Sequence, residues 1–145
     1  MIKLYFDGAC GPNNPGGKCG GGAVVHEDGK MIAEIAKNYI PIKKGETSNN
    51  LGEYIGLICG LEYLIANGRA LEEIKVYGDS NMVISQMTKK WRIKKGIYEK
   101  QAKVAENLIK NFPNIKFSWI PREQNDRADG MSKIALTKSL CYNYD

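Results

Sequence analysis

Four acidic side chains stand at points of the sequence where they could share a metal site. Asp7 and Asp79 each end an apolar run, and Glu53 and Asp129 fall in the first turns of two predicted helices. Carboxylates that are brought together raise one another's pKa unless cations neutralise them. Hard divalent ions prefer oxygen ligands, and two such ions about 4 Å apart can drive phosphodiester hydrolysis. The four acids therefore predict a magnesium site with two ions, which manganese could also occupy.

Each acid also has a purely structural interpretation. An Asp-Gly pair favours a turn, and Asn50-x-x-Glu53 has the spacing of a capping box. Asp79 could cap the short helix after it, and Asp129 would complement a helix dipole. The convergence of all four at one predicted sheet edge favours the metal site over four separate structural roles.

Other common hydrolytic sites lack the residues they require. His26 is the one histidine, so a Ser-His-Asp or Cys-His arrangement is not expected. The four cysteines form no CxxC pair, so a zinc site is not expected, and three complete disulfide pairings stay open. The glycine-rich loop at 9–17 lacks the GxxxxGK[ST] phosphate motif.

The predicted elements explain how distant acids could meet. Strands are predicted at 2–8, 20–26, 30–39, 74–77 and 115–120, and helices at 51–66, 82–88, 97–112 and 126–140. Hairpins and right-handed crossovers then give an α/β fold with a mixed five-stranded sheet, three strands antiparallel and two parallel, flanked by helices. If the first and fourth strands are parallel neighbours, Asp7 and Asp79 end at the same edge.

The first long helix carries glycine at every fourth position. An interior glycine costs about 1 kcal/mol of helix propensity, so Gly52, Gly56 and Gly60 predict close packing of this helix against another backbone.

The composition indicates one soluble globular domain spanning residues 1–145, with a net charge of +5. No stretch has the length or apolar character of a membrane span or a signal peptide, so a cytoplasmic protein without membrane contact is expected. Lysines crowd around Trp91 in the segment 88–96, hereafter the basic segment. This segment predicts either contact with an anionic partner or a solvated loop, and Trp91 could alternatively pack in the core.

The acidic residues and their neighbours resemble the type 1 ribonuclease H family over nearly the whole chain. The motifs, in order, are Phe6-Asp7-Gly8 with Asn14-Pro15-Gly16-Gly17, Thr47-Ser48-Asn49-Asn50-x-x-Glu53, Gly78-Asp79-Ser80, and Pro121-Arg122-Glu123-x-Asn125-x-x-Ala128-Asp129. The resemblance implies an endonuclease that uses two magnesium ions to hydrolyse the RNA strand of RNA–DNA hybrids. The products would carry 5′-phosphate and 3′-hydroxyl ends, and the enzyme is expected to be a monomer.

The same resemblance assigns roles to individual residues. Asp7, Glu53, Asp79 and Asp129 would bind the metals and act in catalysis, with Asp7 bridging both ions and Asp126 as the rival of Asp129. Asn14, Asn49, Asn50 and Asn81 would sense 2′-hydroxyl groups and strand geometry, which suits amides because they both donate and accept. Ser48 would help to hold a phosphate of the DNA strand, and Lys90, Trp91 and Arg122 would contact the hybrid.

Two features depart from many bacterial relatives. The loop at 120–125 has no histidine, so Arg122 or Glu123 replaces it or turnover depends on metal exchange alone. The basic protrusion is reduced to the basic segment, which predicts weaker and more salt-sensitive binding. Alternative functions are cleavage of double-stranded RNA or a DNA junction, and a module that binds hybrids without cutting them.

Overall fold

The computed structural model describes residues 1–11, 17–41, 43 and 45–144. Within them the strands are β1 (Ile2–Gly11), β2 (Lys18–Glu27), β3 (Lys30–Tyr39), β4 (Ile74–Gly78), β5 (Ile115–Trp119) and β6 (Leu140–Asn143). The helices are α1 (Asn49–Ala66), α2 (Asn81–Met87), α3 (Glu99–Ile109) and α4 (Asp126–Ile134), and Arg122–Gln124 forms a 3₁₀ turn. None of these helices is both long and apolar enough to cross a bilayer.

The strands form one mixed sheet in the order β5-β4-β1-β2-β3-β6. β1 is parallel to β4, and β4 is parallel to β5, whereas β2, β3 and β6 continue the sheet by antiparallel pairing. The predicted α/β fold with a mixed sheet is confirmed, as is the parallel pairing of the first and fourth strands. Consequently β1 and β4 end at the same edge of the sheet.

The two faces of the sheet are covered differently. Ile2, Leu4 and Phe6 of β1 point into the main core, where they pack with apolar residues of α1, α2 and α3. On the other face, α4 packs through Ala128 and Met131 against a smaller cluster on the antiparallel part of the sheet. Alternation along β1 thus sends successive side chains to the two faces of the sheet in turn.

The prediction of five strands was wrong, because a sixth strand follows the last helix. That helix was predicted to run to residue 140 but ends at Ile134, and β6 pairs antiparallel with β3. The Asn38 side chain donates to the carbonyl oxygens of Ala135 (2.8 Å) and Leu136 (3.2 Å), which satisfies groups that a helix end leaves unpaired. A tertiary contact from β3 therefore ends α4 and frees the tail to complete the sheet.

Other differences concern element boundaries. β1 continues to Gly11, beyond the predicted end at residue 8, and β2 begins at Lys18. α3 covers Glu99–Ile109, shorter than the predicted 97–112. Residues 12–16 of the predicted loop, including Asn14, lie outside the described residues.

Candidate active site

Three of the four predicted acids meet at one edge of the sheet. Asp7 lies near the end of β1, Asp79 directly follows β4, and Glu53 projects from the second turn of α1. One carboxylate oxygen from each lies within 4.8 Å of the other two. This spacing would allow three carboxylates to share cations.

A close contact between backbones brings Glu53 to the strand that carries Asp7. A Cβ atom placed on Gly8 would collide with the backbone of Gly52 and Glu53, and one on Gly56 would collide with the carbonyl oxygen of Asp7. The predicted close approach of the glycine-bearing helix to another backbone is confirmed at Gly52 and Gly56. Glycine is needed here for space, because a side chain would push α1 off the sheet.

The three acids form an electrostatically unfavourable cluster without cations. Burial, followed by the neighbouring charge of Asp79, raises the pKa of Asp7 to about 7. Burial and the charges of Asp7 and Asp79 raise the pKa of Glu53 well above its ordinary range. The Oε2 atom of Glu53 is buried without a hydrogen-bond partner. An unpaired buried carboxylate oxygen beside two other carboxylates is the donor set that a hard divalent cation fits.

Capping, the structural alternative for two of these acids, is performed by other residues. Ser48 caps α1, since its hydroxyl accepts a hydrogen bond from the Leu51 amide at 3.2 Å. Ser80 caps α2 in the same way through the Val83 amide at 3.2 Å. Asn50 and Asp79 are therefore not the N-caps, and the capping interpretations of Glu53 and Asp79 are wrong.

Asp129 stands beside the three-acid group on the first turn of α4. Its carboxylate contributes to the raised pKa of Asp7, after burial and Asp79. The Lys133 ammonium group lies 3.0 Å from Asp129 Oδ2, and the Asp129 side chain is 34% exposed. Its rival Asp126 is exposed at the first position of α4. Asp129 is thus a more open and partly neutralised neighbour of the cluster.

Asn125 was quoted only as part of a motif, yet it connects α4 to the acidic edge. Its side chain is buried and donates from Nδ2 to the carbonyl oxygen of Phe6 at 2.9 Å. Its own carbonyl accepts from the Asp129 amide at 3.0 Å. One residue therefore ties the peptide preceding Asp7 to the helix bearing Asp129. The available sequence signal was its position immediately before the predicted helix, where asparagine commonly ends a loop.

The predicted substrate contacts surround this edge. Ser48, Asn49 and Asn50 lie at the start of α1, and Asn81 is exposed at the start of α2. Arg122 is highly exposed, with Nε 3.8 Å from Asp79 Oδ2. Arg122 thus contacts the acidic edge and the others flank Glu53 or Asp79 along the chain, while Asn14 lies outside the described residues.

The basic segment lies on the surface beyond α2. Trp91 is 53% exposed, so the alternative that it packs in the core is wrong. The backbone amides of Lys90 and Trp91 both donate to the Ser85 carbonyl oxygen, at 2.8 and 3.0 Å. The buried Gln86 side chain donates to the Arg92 carbonyl oxygen at 3.1 Å. Backbone contacts therefore hold the base of the segment while its indole and lysine side chains point outward.

Comparison with known proteins gives consistent matches. Residues 5–135 match a family described as reverse transcriptase-like. The bifunctional protein of Mycobacterium tuberculosis is 32% identical over 136 residues, which are 93% of this chain and 36% of that protein. The chain thus spans about a third of the length of these mycobacterial relatives.

Solved structures resemble the whole fold. The RNase H1 of the archaeon Halobacterium salinarum superimposes with a TM-score of 0.78 at 30% identity, over 94% of this chain and 97% of that one. An RNase H1 named LC11, isolated from compost and solved in complex with an RNA/DNA hybrid, gives a TM-score of 0.78 at 33% identity with the same coverage.

Proposed function

We propose that this chain, which belongs to the type 1 ribonuclease H family, is a metal-dependent endonuclease that hydrolyses the RNA strand of RNA–DNA hybrids. The observation that carries the proposal is the meeting of Asp7, Glu53 and Asp79 within 4.8 Å. Such a cluster is costly for a protein that only binds nucleic acid, because it repels phosphates unless cations are present. The products would carry 5′-phosphate and 3′-hydroxyl ends.

Asp7, Glu53, Asp79 and Asp129 would hold two Mg²⁺ ions, or Mn²⁺ in their place, with Asp7 shared between the ions. When bound, the ions would supply an activated water and charge stabilisation for the leaving oxygen. All four acids come from one chain, which supports action as a monomer.

The protein itself would supply positioning. Close packing of α1 on β1 fixes Glu53 relative to Asp7, and the Asn125 amide fixes the strand end against α4. Binding of cations would keep Asp7 ionised, since without them its pKa is about 7. Preorganised carboxylates need not rearrange as the reaction proceeds, which lowers its barrier.

Selection of the RNA strand would come from groups around this edge. Amides at 49, 50 and 81, and that of Asn14, which is assigned from the sequence alone, can donate to and accept from a 2′-hydroxyl, which distinguishes RNA from DNA. Ser48 would contact a phosphate of the DNA strand. Lys90, Trp91 and Arg122 would contact the hybrid through charge and ring stacking.

The missing loop histidine leaves two candidates for its role. Arg122 reaches the site, with Nε 3.8 Å from Asp79 Oδ2, and Glu123 is exposed in the same 3₁₀ turn. We propose that Arg122 assists departure of the product phosphate, because its guanidinium can pair with phosphate oxygens.

The test is a cleavage assay on labelled RNA–DNA hybrid, duplex RNA and duplex DNA, each with magnesium, manganese or a chelator. We expect cleavage of the RNA strand of the hybrid alone, lost with the chelator and with Asp7→Asn. Asp129→Asn should also abolish cleavage, whereas the matched change Asp126→Asn, one turn away, should retain it. Binding of the hybrid without cleavage in either metal would overturn the proposal, and cleavage of duplex RNA would change the assigned substrate.

A further inference from the structure

Three lysines form a row across the parallel part of the sheet. Lys3 of β1 is paired with Lys75 of β4, and Lys75 is paired with Lys116 of β5. Residues in register on neighbouring strands lie about 4.8 Å apart and point to the same face. The three ammonium groups therefore share one surface, on the side of the sheet away from the main core.

This row is unfavourable for the folded protein by itself. Like charges placed directly opposite one another on neighbouring strands are destabilising. None of the three lysines forms an ion pair with a carboxylate in the described part of the chain. The nearby acid Asp28 is instead paired with the Met1 ammonium group at 2.8 Å. Folding does not account for the row, whereas an anionic ligand would.

The face that carries the row is open over β4 and β5. On this face α4 packs over β2, β3 and part of β1, where Tyr5 contacts its apolar cluster, and α2 and α3 pack in the main core on the opposite face. Lys3 and Lys116 are exposed and Lys75 is half-buried. Within the described residues, no helix covers this side of β4 and β5.

An aromatic ring lies two residues along the strand from the middle lysine. Tyr77 stacks on Tyr5 of the neighbouring strand, with ring centroids 5.1 Å apart and planes inclined by 24°. On its other side, Tyr77 is paired with Ser118 of the edge strand, which is exposed and small. The outer face of the Tyr77 ring is therefore bordered by a short side chain, which leaves room for a flat group to stack.

We propose that this surface, formed by Lys3, Lys75, Lys116, Tyr77 and Ser118, binds an unpaired nucleic-acid strand. Cationic side chains that follow the backbone, together with an aromatic ring on which a base stacks, are the elements by which proteins hold single strands. The surface is distinct from the basic segment beyond α2. β4 leads from Lys75 to Asp79, a distance of about 13 Å at the rise of a strand. A bound strand would thus extend toward the acidic edge. The biological use of this surface rests on the proposed function.

The binding test measures the fluorescence anisotropy of a short fluorescein-labelled oligothymidylate as the full chain is added in the presence of chelator. The titration is repeated over a range of salt concentrations. The variant combines Lys3→Gln, Lys75→Gln and Lys116→Gln. We expect at least tenfold weaker binding at low salt and a slope of log affinity against log salt reduced by about 2, since each phosphate contact on a single strand contributes about 0.7. The matched control combines Lys30→Gln, Lys37→Gln and Lys138→Gln. These exposed lysines lie on β3 and between α4 and β6, and the control should keep the wild-type slope.

A second variant tests the ring. Tyr77→Leu keeps an apolar side chain against Tyr5 and should weaken binding about fivefold without changing the salt slope, because it removes stacking and no charge. Amide shifts in an NMR titration should move at Lys75, Tyr77 and Ser118. Thermal melting of both variants verifies that they fold.

Equal affinity of the variant at Lys3, Lys75 and Lys116 and of its control would overturn the proposal. Amide shifts confined to the basic segment would overturn it as well. A polyglutamate peptide that produces the same shifts, with no effect of Tyr77→Leu, would instead identify an acidic polypeptide as the ligand. Because binding is measured without metal, these outcomes are independent of whether the chain cleaves hybrids.

Discussion

The acidic edge and the basic segment differ in how the fold holds them. Asp7 is 4% exposed and is positioned by backbone contacts that leave no space for a methyl group, whereas Trp91 is 53% exposed on a segment held by a few hydrogen bonds and by the packing of Ile93. The acidic edge concentrates carboxylate groups in the interior, whereas the basic segment exposes its lysine side chains to solvent. Changes at the edge should therefore act on kcat and on stability, and changes in the segment should act on KM.

The largest expected effect is on the chemical step. Glu53→Gln removes one buried carboxylate from the cluster and should lower kcat about 1000-fold, because charge stabilisation by bound metal supplies several kcal/mol of catalysis. KM for the hybrid should change by no more than a few-fold. The matched control is Glu62→Gln, at an exposed position of the same helix, which should leave both constants unchanged. Steady-state cleavage kinetics that show a normal kcat for Glu53→Gln would remove this residue from the site.

The packing of α1 on β1 can be broken with a single methyl group. Gly8→Ala should lower the free energy of unfolding by about 3 kcal/mol, because the added carbon would collide with the backbone at Gly52 and Glu53. Gly11→Ala on the same strand is the control, since no atom of the described residues lies within 4 Å of its added carbon. Urea unfolding curves for the two variants test the difference, and equal stability would show that α1 adjusts freely.

The buried Asp7 carboxyl group should make the stability of the metal-free protein depend on pH. The folded state holds the Asp7 proton up to about pH 7, while the unfolded chain releases it near its ordinary pKa of 3.8. Between these values the folded state binds more protons, so the free energy of unfolding contributed by this group falls as pH rises. Asp7→Asn should therefore be more stable than wild type above pH 7 in chelator, by roughly 2 kcal/mol, less than the full amount at about 1.36 kcal/mol per pKa unit because Asp7 titrates together with the neighbouring carboxylates.

Thermal or urea unfolding between pH 4 and pH 8 measures this effect, with the window set by the two pKa values. Added magnesium should raise the stability of the wild type more than that of Asp7→Asn, since the ion offsets the repulsion. A wild type that gains stability as pH rises through this window would contradict the assignment of an uncompensated carboxylate.

The smallest expected effect lies in the basic segment. Trp91→Ala should raise KM for the hybrid about fivefold with little change in kcat, because a stacking contact is worth about 1 kcal/mol or more. Tyr142→Ala on β6 removes a ring of similar exposure (51%) and serves as the control. A lower kcat at unchanged KM would place Trp91 near the chemistry instead of on a binding surface.

The elements around the acidic edge could be predicted because their signals are local. Strands joined through helical crossovers indicated that the runs ending in Asp7 and Asp79 are parallel, and the glycine spacing in α1 indicated its close approach to another backbone. The structure brings both aspartates and Glu53 together, as the sequence suggested. These inferences need only the hydrophobic periodicity of the sequence and the chemistry of each residue.

The features that escaped prediction depend on contacts between distant residues. β6 forms because Asn38 ends α4 and the open edge of β3 accepts the tail, and neither fact is visible in residues 140–143 themselves. The link from Asn125 to Phe6 spans 119 positions of sequence. The lysine row exists only once the registers of β1, β4 and β5 are known.

The Gln86 side chain makes the basic segment a replaceable module. It accepts a hydrogen bond from the Tyr54 hydroxyl, next to Glu53, and donates to the Arg92 carbonyl oxygen and to the Tyr98 hydroxyl. All of these partners are backbone or phenol groups, so the framework does not depend on the identity of any lysine. An engineer could therefore exchange the outward side chains for other recognition residues while the acidic edge keeps its shape.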